Sequence, residues 1–261
     1  MKKNDELVLK MKKLTFRTKL LLIATGAAIL AVIVGIALFL LFWNGILLFN
    51  GFAATKYEVH GVDLSHYPGE VNWQVLAKED IDFAFLKATE GSDYVDANFA
   101  ENLTGALHTD LRVGAYHFFS FSSAGATQAE NFIAHVPTDA DLLPPVVDLE
   151  LYGSFLENPL RRDKVQAELN TLLAKLESAY GKKPILYVTE TSYDLYIAGD
   201  YSDYDIWFRE VITRPKLSDD RAWTFWQYSN RGRLKGYEGE ERYIDLNVFY
   251  GTREEFEQYG R

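Results

Sequence analysis

The sequence predicts an α/β protein, an irregular (β/α)5β3 TIM-like barrel preceded by a single transmembrane helix. Two observations carry that expectation. The 24 residues from Leu20 to Trp43 contain no charge. Behind them, short runs of β-branched and aromatic residues alternate with amphipathic helical patterns, the signature of parallel strands joined by crossover helices.

Residues 1–19 carry seven Lys or Arg against Asp5 and Glu6. They are read as a basic cytoplasmic segment, because positive flanks stay on the cytoplasmic side of a membrane. Residues 20–43 follow as the transmembrane helix, since at about 1.5 Å per residue they exceed a hydrocarbon core of about 30 Å. A start at Met11, which opens a second Met-Lys-Lys, leaves the orientation unchanged. Gly51-Phe52-Ala53 offers small residues to a signal peptidase, yet the apolar run is far longer than the roughly 7–15 residues of a signal-peptide core. An anchor is therefore preferred to a cleaved leader, giving a single-pass protein of the cell membrane with a cytoplasmic N-terminus. Residues 44–56 are expected to form a juxtamembrane linker whose Ile46, Leu47, Leu48, Phe49 and Phe52 rest in the bilayer interface.

Residues 57–261 remain as the barrel domain, outside the cytoplasm. The formal charge of −10 over the chain leaves −16 on them once the basic segment and Lys56 are set aside. So acidic a domain has no general affinity for nucleic acid. With no cysteine in the chain, disulfides, thiolate metal sites and cysteine nucleophiles are excluded.

Eight strand candidates follow in order, at 57–65, 82–89, 112–119, 145–151, 184–189, 205–211, 223–228 and 244–250. The clearest helix lies at 159–180. There Asn158 can cap, Pro159 suits the first turn, Val165, Leu169, Leu172, Leu173, Leu176 and Tyr180 form one stripe, and Gly181 can terminate. Shorter helices are expected at 72–78, 97–107 and 126–135. Beyond Thr189 the connections lose helical periodicity, so five helical crossovers are followed by three strands. A set of eight suggests closure into a barrel.

Leu143 to Leu151 is the most informative segment. As a strand it puts Val146, Asp148 and Glu150 on one face and Val147, Leu149 and Leu151 on the other. Barrel enzymes keep their chemistry at the C-terminal ends of strands, and glycoside hydrolysis generally uses a carboxyl pair around the scissile bond. An Asp-x-Glu on an exposed strand end, or one capping a helix, is the ordinary alternative, weakened here by the apolar, proline-led run. The same alternation recurs at Gly61-Val62-Asp63-Leu64-Ser65. Near the last strand, Asp245 and Asn247 alternate with Ile244, Leu246 and Val248. Three strands thus deliver inward acids.

Six segments carry a resemblance: His60-Gly61-Val62-Asp63-Leu64-Ser65, Phe85-Leu86-Lys87-Ala88-Thr89-Glu90-Gly91, Val113-Gly114-Ala115-Tyr116-His117-Phe118, Pro145-Val146-Val147-Asp148-Leu149-Glu150, Trp226-Gln227-Tyr228-Ser229 and Asp245-Leu246-Asn247-Val248-Phe249. In this order they resemble the motifs of glycoside hydrolase family 25, the Chalaropsis-type lysozymes, from about Val59 to Phe249. The resemblance implies an irregular eight-stranded barrel with five helices. It implies an N-acetylmuramidase that cleaves the β-1,4 bond between N-acetylmuramic acid and N-acetylglucosamine in peptidoglycan, with no cofactor. It also implies Glu150 as general acid and Asp148, Asp63 and Asp245 as the other active-site acids. One departure is Pro68, where family members commonly carry Gln; it puts one polar contact near the substrate in doubt.

Tyr116, Tyr187, Trp207 and Trp226 lie near strand ends, where aromatic faces can pack on sugar rings. Trp207 is assigned to packing; Tyr116, Tyr187 and Trp226, with the adjacent Gln227, are retained as candidate substrate contacts. Lys87 either pairs with Glu90 or meets a substrate carboxylate such as the lactyl group. The histidines lack the paired spacing of zinc peptidases and no metal site is expected, although His117 and several acids could gather at one mouth. The rivals to a muramidase are a barrel glycosidase for another N-acetylated polymer such as chitin, a non-catalytic wall-binding module, and a component of a lysis or secretion assembly.

Overall fold

The computed structural model describes residues 16–64, 69–239 and 243–261. Most of the basic segment, Ser65 of the first motif and the His66-Tyr67-Pro68 departure lie outside the described residues. The chain divides into two compact units, up to Leu47 and from Leu48 to Arg261.

The first unit holds helix α1 (Phe16–Trp43), 28 residues long. Its Thr18–Trp43 stretch is long and apolar enough to cross a membrane, and its most apolar window buries nothing against protein. A helix apolar on every side needs an apolar surrounding to be stable.

The second unit begins earlier than expected. Ala53 and Ala54 of the short helix α2 (Gly51–Ala54) are buried, and Asn50 Nδ2 donates to the Glu210 carbonyl at 3.2 Å. Residues 48–56 therefore belong to the folded domain and not to a linker. Their small side chains face its core, while Phe49 and Phe52 stay exposed.

The strands are β1 (His60–Leu64), β2 (Gly69–Val71), β3 (Phe83–Glu90), β4 (Tyr94–Val95), β5 (Arg112–Phe118), β6 (Val146–Leu149), β7 (Ile185–Thr189), β8 (Ile206–Arg209), β9 (Phe225–Gly232), β10 (Tyr237–Gly239) and β11 (Ile244–Phe249). Between them run α3 (Trp73–Leu76), α4 (Phe99–Leu107), α5 (Gly125–His135), α6 (Arg162–Tyr180) and α7 (Glu190–Ser192), with α8 (Arg253–Gln258) following β11. All eight expected strands form, in the barrel order β1-β11-β9-β8-β7-β6-β5-β3, closed by pairing of β3 with β1. Neighbours run parallel except β11, which is antiparallel to β9 and to β1. The fifth crossover shrinks to α7 and a π-helical turn, Tyr193–Ile197. Outside the barrel, β2 pairs with β10 and β4 folds back on β3; neither feature was foreseen.

Helix α6 starts at Arg162, not Pro159, with Arg161 extended at the N-cap position. The Asn158 backbone amide donates to the Ser154 carbonyl, so Asn158 closes the preceding turn three residues before the N-cap position. Gly181 ends the helix as expected, in the left-handed conformation with φ of 65°.

Inside the barrel, Phe83, Phe85, Val146, Ile185, Tyr187, Trp207, Phe225 and Phe249 form one cluster, and Phe256 of α8 plugs its lower end. The opposite strand faces pack beneath the helices. Two inward positions must stay empty. A Cβ on Gly61 would lie 2.4 Å from the Phe83 ring, and one on Gly114 would lie 2.4 Å from the Phe85 ring. The two missing side chains make room for the two phenylalanines that fill the interior.

Candidate active site

Each parallel strand that alternates inward and outward carries its inward face upward from this apolar plug to the C-terminal mouth. There the side chains become acidic. A cleft of about 210 Å³ is lined by Asp63 from β1, Asp148 from β6, Glu150 just beyond it and Asp245 from β11, with Lys87, Tyr116 and Tyr187 on its walls and Trp207 on its floor. All four candidate acids and three of the five candidate contacts thus meet. Trp226 does not. Alternation along β9 turns it outward, where its indole donates to the Glu210 carbonyl at 2.7 Å and its ring packs on Trp223.

Gln227 points inward but has no free amide hydrogen for a substrate. Its Nε2 donates to Asp63 Oδ1 and to Asp245 Oδ2, each at 3.0 Å, and its Oε1 accepts from the Tyr187 hydroxyl at 3.0 Å. Asn247 Nδ2 donates to the same Asp63 oxygen at 2.7 Å, while its Oδ1 accepts from the Trp207 indole at 2.8 Å. An indole N–H can only donate, so it fixes which end of the Asn247 amide faces Asp63. Tyr187 orients Gln227 in the same way. These two amides orient the Asp63 carboxylate, and the sequence showed Asn247 only as one member of an alternating run.

Desolvation raises Asp63, Asp148 and Glu150 above the ordinary carboxylate range. Asp63 is pushed up to about 6 by burial, against the hydrogen bonds from Asn247 and Gln227. Asp148 is raised well above the usual carboxylate range by burial and then by the neighbouring Glu150, and its Oδ1 has no partner among the described residues. Glu150, less enclosed at the rim, is also raised by burial, with Arg209 acting in the opposite direction. Glu150 is thus one of three acids in the cleft whose protons burial holds. The strongest push falls on Asp148, because it sits deeper.

Lys87 pairs with Glu90 at 2.7 Å and lies over the Phe118 ring. His117 alternates outward, away from the acids. It is fully buried between the Thr89 hydroxyl at 2.7 Å and Gln128 Oε1 at 3.0 Å. Burial lowers its pKa to about 4, leaving it a neutral structural group.

The family model for Glycosyl hydrolases family 25 matches residues 62–237. A family 25 glycosyl hydrolase from Bacillus anthracis is 54% identical and superposes with a TM-score of 0.76 over 79% of this chain and 95% of its own. YegX of Escherichia coli strain K12, uncharacterized, is 35% identical over 78% of this chain and 74% of its length. Lysozyme M1 of Streptomyces globisporus is 30% identical over 74% of this chain and 68% of its length. With the ordered motifs, the closed barrel and the acids at its mouth, these matches place the chain in glycosyl hydrolase family 25.

Proposed function

We propose that the barrel is an N-acetylmuramidase that hydrolyses the β-1,4 bond between N-acetylmuramic acid and N-acetylglucosamine in peptidoglycan, with Glu150 as its general acid. The observation that supports this most is the convergence of Asp63, Asp148, Glu150 and Asp245 on one cleft. Glycoside hydrolysis needs a carboxyl that keeps a proton beside others that stabilise an oxocarbenium-like transition state.

Glu150 suits the first task. Burial keeps it protonated to higher pH than a free glutamate, and its place at the rim lets a glycosidic oxygen reach it. Asp148, deeper in the cleft, holds its proton more tightly than a donor should. Across the mouth, Asp63 and Asp245 share the donors of Gln227, so negative charge there is held in place opposite the bond that breaks. Tyr116 and Tyr187 form walls against which a sugar ring can pack. Lys87, already paired with Glu90, offers its remaining donors to a carboxylate such as the lactyl group.

Digestion of purified peptidoglycan, followed by reduction and sugar analysis, is expected to show N-acetylmuramic acid at the new reducing ends. New N-acetylglucosamine ends would refute the bond assignment. Glu150→Gln keeps the shape of the side chain without the proton and is expected to lower the rate by about a thousandfold. Near wild-type turnover in that variant would remove Glu150 from the role.

We also infer that α1 remains in the bilayer as an anchor, with residues 1–19 cytoplasmic and the barrel outside. The basic residues before the helix and its uninterrupted apolar length support this reading.

A further inference from the structure

Arg209 of β8 acts on Asp63, Asp148 and Glu150, yet it neither donates the proton nor lines the walls of the cleft. Trp207 points into the barrel, stacked on Phe85 with ring centroids 4.6 Å apart. Arg209, two residues further along, therefore faces the same way, one layer nearer the mouth. Its strand neighbours in register are Thr189 on β7 and Gln227 on β9, and Gln227 is the residue that holds Asp63 and Asp245. Yet Arg209 forms no ion pair or side-chain hydrogen bond with any described residue, unlike Lys87, whose charge is matched by Glu90. In the closed strand order, β8 and β3 stand four places apart in a ring of eight. Arg209 and Lys87 thus come from opposite walls, with the carboxyls between them.

We propose that Arg209 is a positioning residue for the acid step, its unpaired guanidinium stabilising the carboxylate that Glu150 becomes once it has given its proton away. In that step the proton passes from Glu150 to the glycosidic oxygen as the sugar–oxygen bond breaks. The water that completes hydrolysis later returns a proton. The newly ionised Glu150 is faced by Asp148 on its own strand, Asp63 from β1 and Asp245 from β11. Tyr116 and Tyr187 on β5 and β7 are neutral, and Lys87 on β3 is engaged with Glu90. Among the described residues, Arg209 is the cation that acts on Glu150, Asp148 and Asp63 together, whereas of these three Lys87 acts on Asp148 alone.

This inference rests on Glu150 being the acid, so the test runs both variants in the full-length protein in detergent, on soluble uncrosslinked glycan strands. Removing the cation strengthens proton binding on Glu150 and on Asp63. Both limbs of the pH profile of kcat/KM for Arg209→Gln should therefore move upward, by about half a unit to one unit, with kcat about tenfold lower at the optimum. Arg209→Lys should restore the limbs. Unmoved limbs, whether KM rises or nothing changes, would overturn the proposal and leave Arg209 as a substrate contact or a passive wall residue. If Arg209→Gln fails to fold, Arg209→Met carries the same test: limbs moved upward support the proposal, and limbs that coincide with wild type refute it. Should Glu150→Gln stay active, the acid assignment has failed; should it be dead while the Arg209→Gln limbs stay fixed, only the role of Arg209 has.

Discussion

Asp63 is where burial, hydrogen bonding and charge can be weighed against one another. It accepts from two amides, yet desolvation prevails and raises it from 3.8 to about 6. A carboxyl raised on folding favours its protonated form in the folded state. Its stabilising contribution is complete below about pH 4 and is lost as pH climbs through about 6, by roughly 3 kcal/mol at most. Asp63→Asn removes that titration. The variant should therefore gain stability relative to wild type between pH 4 and pH 7, read from urea midpoints at each pH. Parallel stability curves would show that Asp63 titrates normally. A residue that costs stability at neutral pH is what a functional acid looks like when its environment is arranged for chemistry instead of folding.

Among the elements, the interior of the barrel is the least forgiving. Gly114→Ala would drive a methyl group into the Phe85 ring and against Leu143, and overpacking of this kind is expected to cost about 1–3 kcal/mol, seen as a lower Tm. An unchanged Tm would mean that the β5–β3 wall yields. This level was largely legible in the sequence, because period-two alternation in Gly61–Leu64, Val146–Glu150 and Ile244–Val248 assigns faces without any knowledge of neighbours. Short pieces escaped. The pair β2 and β10, three residues each, is too brief to show a period, and the start of α6 was misjudged because a separate turn over residues 153–158 precedes the helix. Trp226 was misjudged although the same alternation separates it from Gln227: adjacent residues of β9 take opposite faces, so the two could not both line the cleft. Arg209 escaped because it lies beside Gln227 only through the pairing of β8 with β9, which its own surroundings in the chain do not show.

For the molecule as a whole, the apolar helix and the acidic barrel are joined by a short stretch of chain. Full-length protein is expected to sediment with membranes and to resist carbonate extraction, because a helix of this length partitions more firmly than a peripheral contact. A soluble product beginning near Ala54 would show cleavage instead, and that cut would fall inside the buried turn of α2, at the expense of the packing of Ala53 and Ala54. The seam between β1 and β11 sets the order of events during synthesis. Asp63 is held by Asn247, a partner 184 residues further along the chain, and contacts so distant in sequence form late and slowly. The first strand must wait, unpaired on one edge, until nearly the whole domain has been made. Until β11 is made, β1 offers an open strand edge to other chains, and the cleft lacks Asp245 and the Asn247 that holds Asp63.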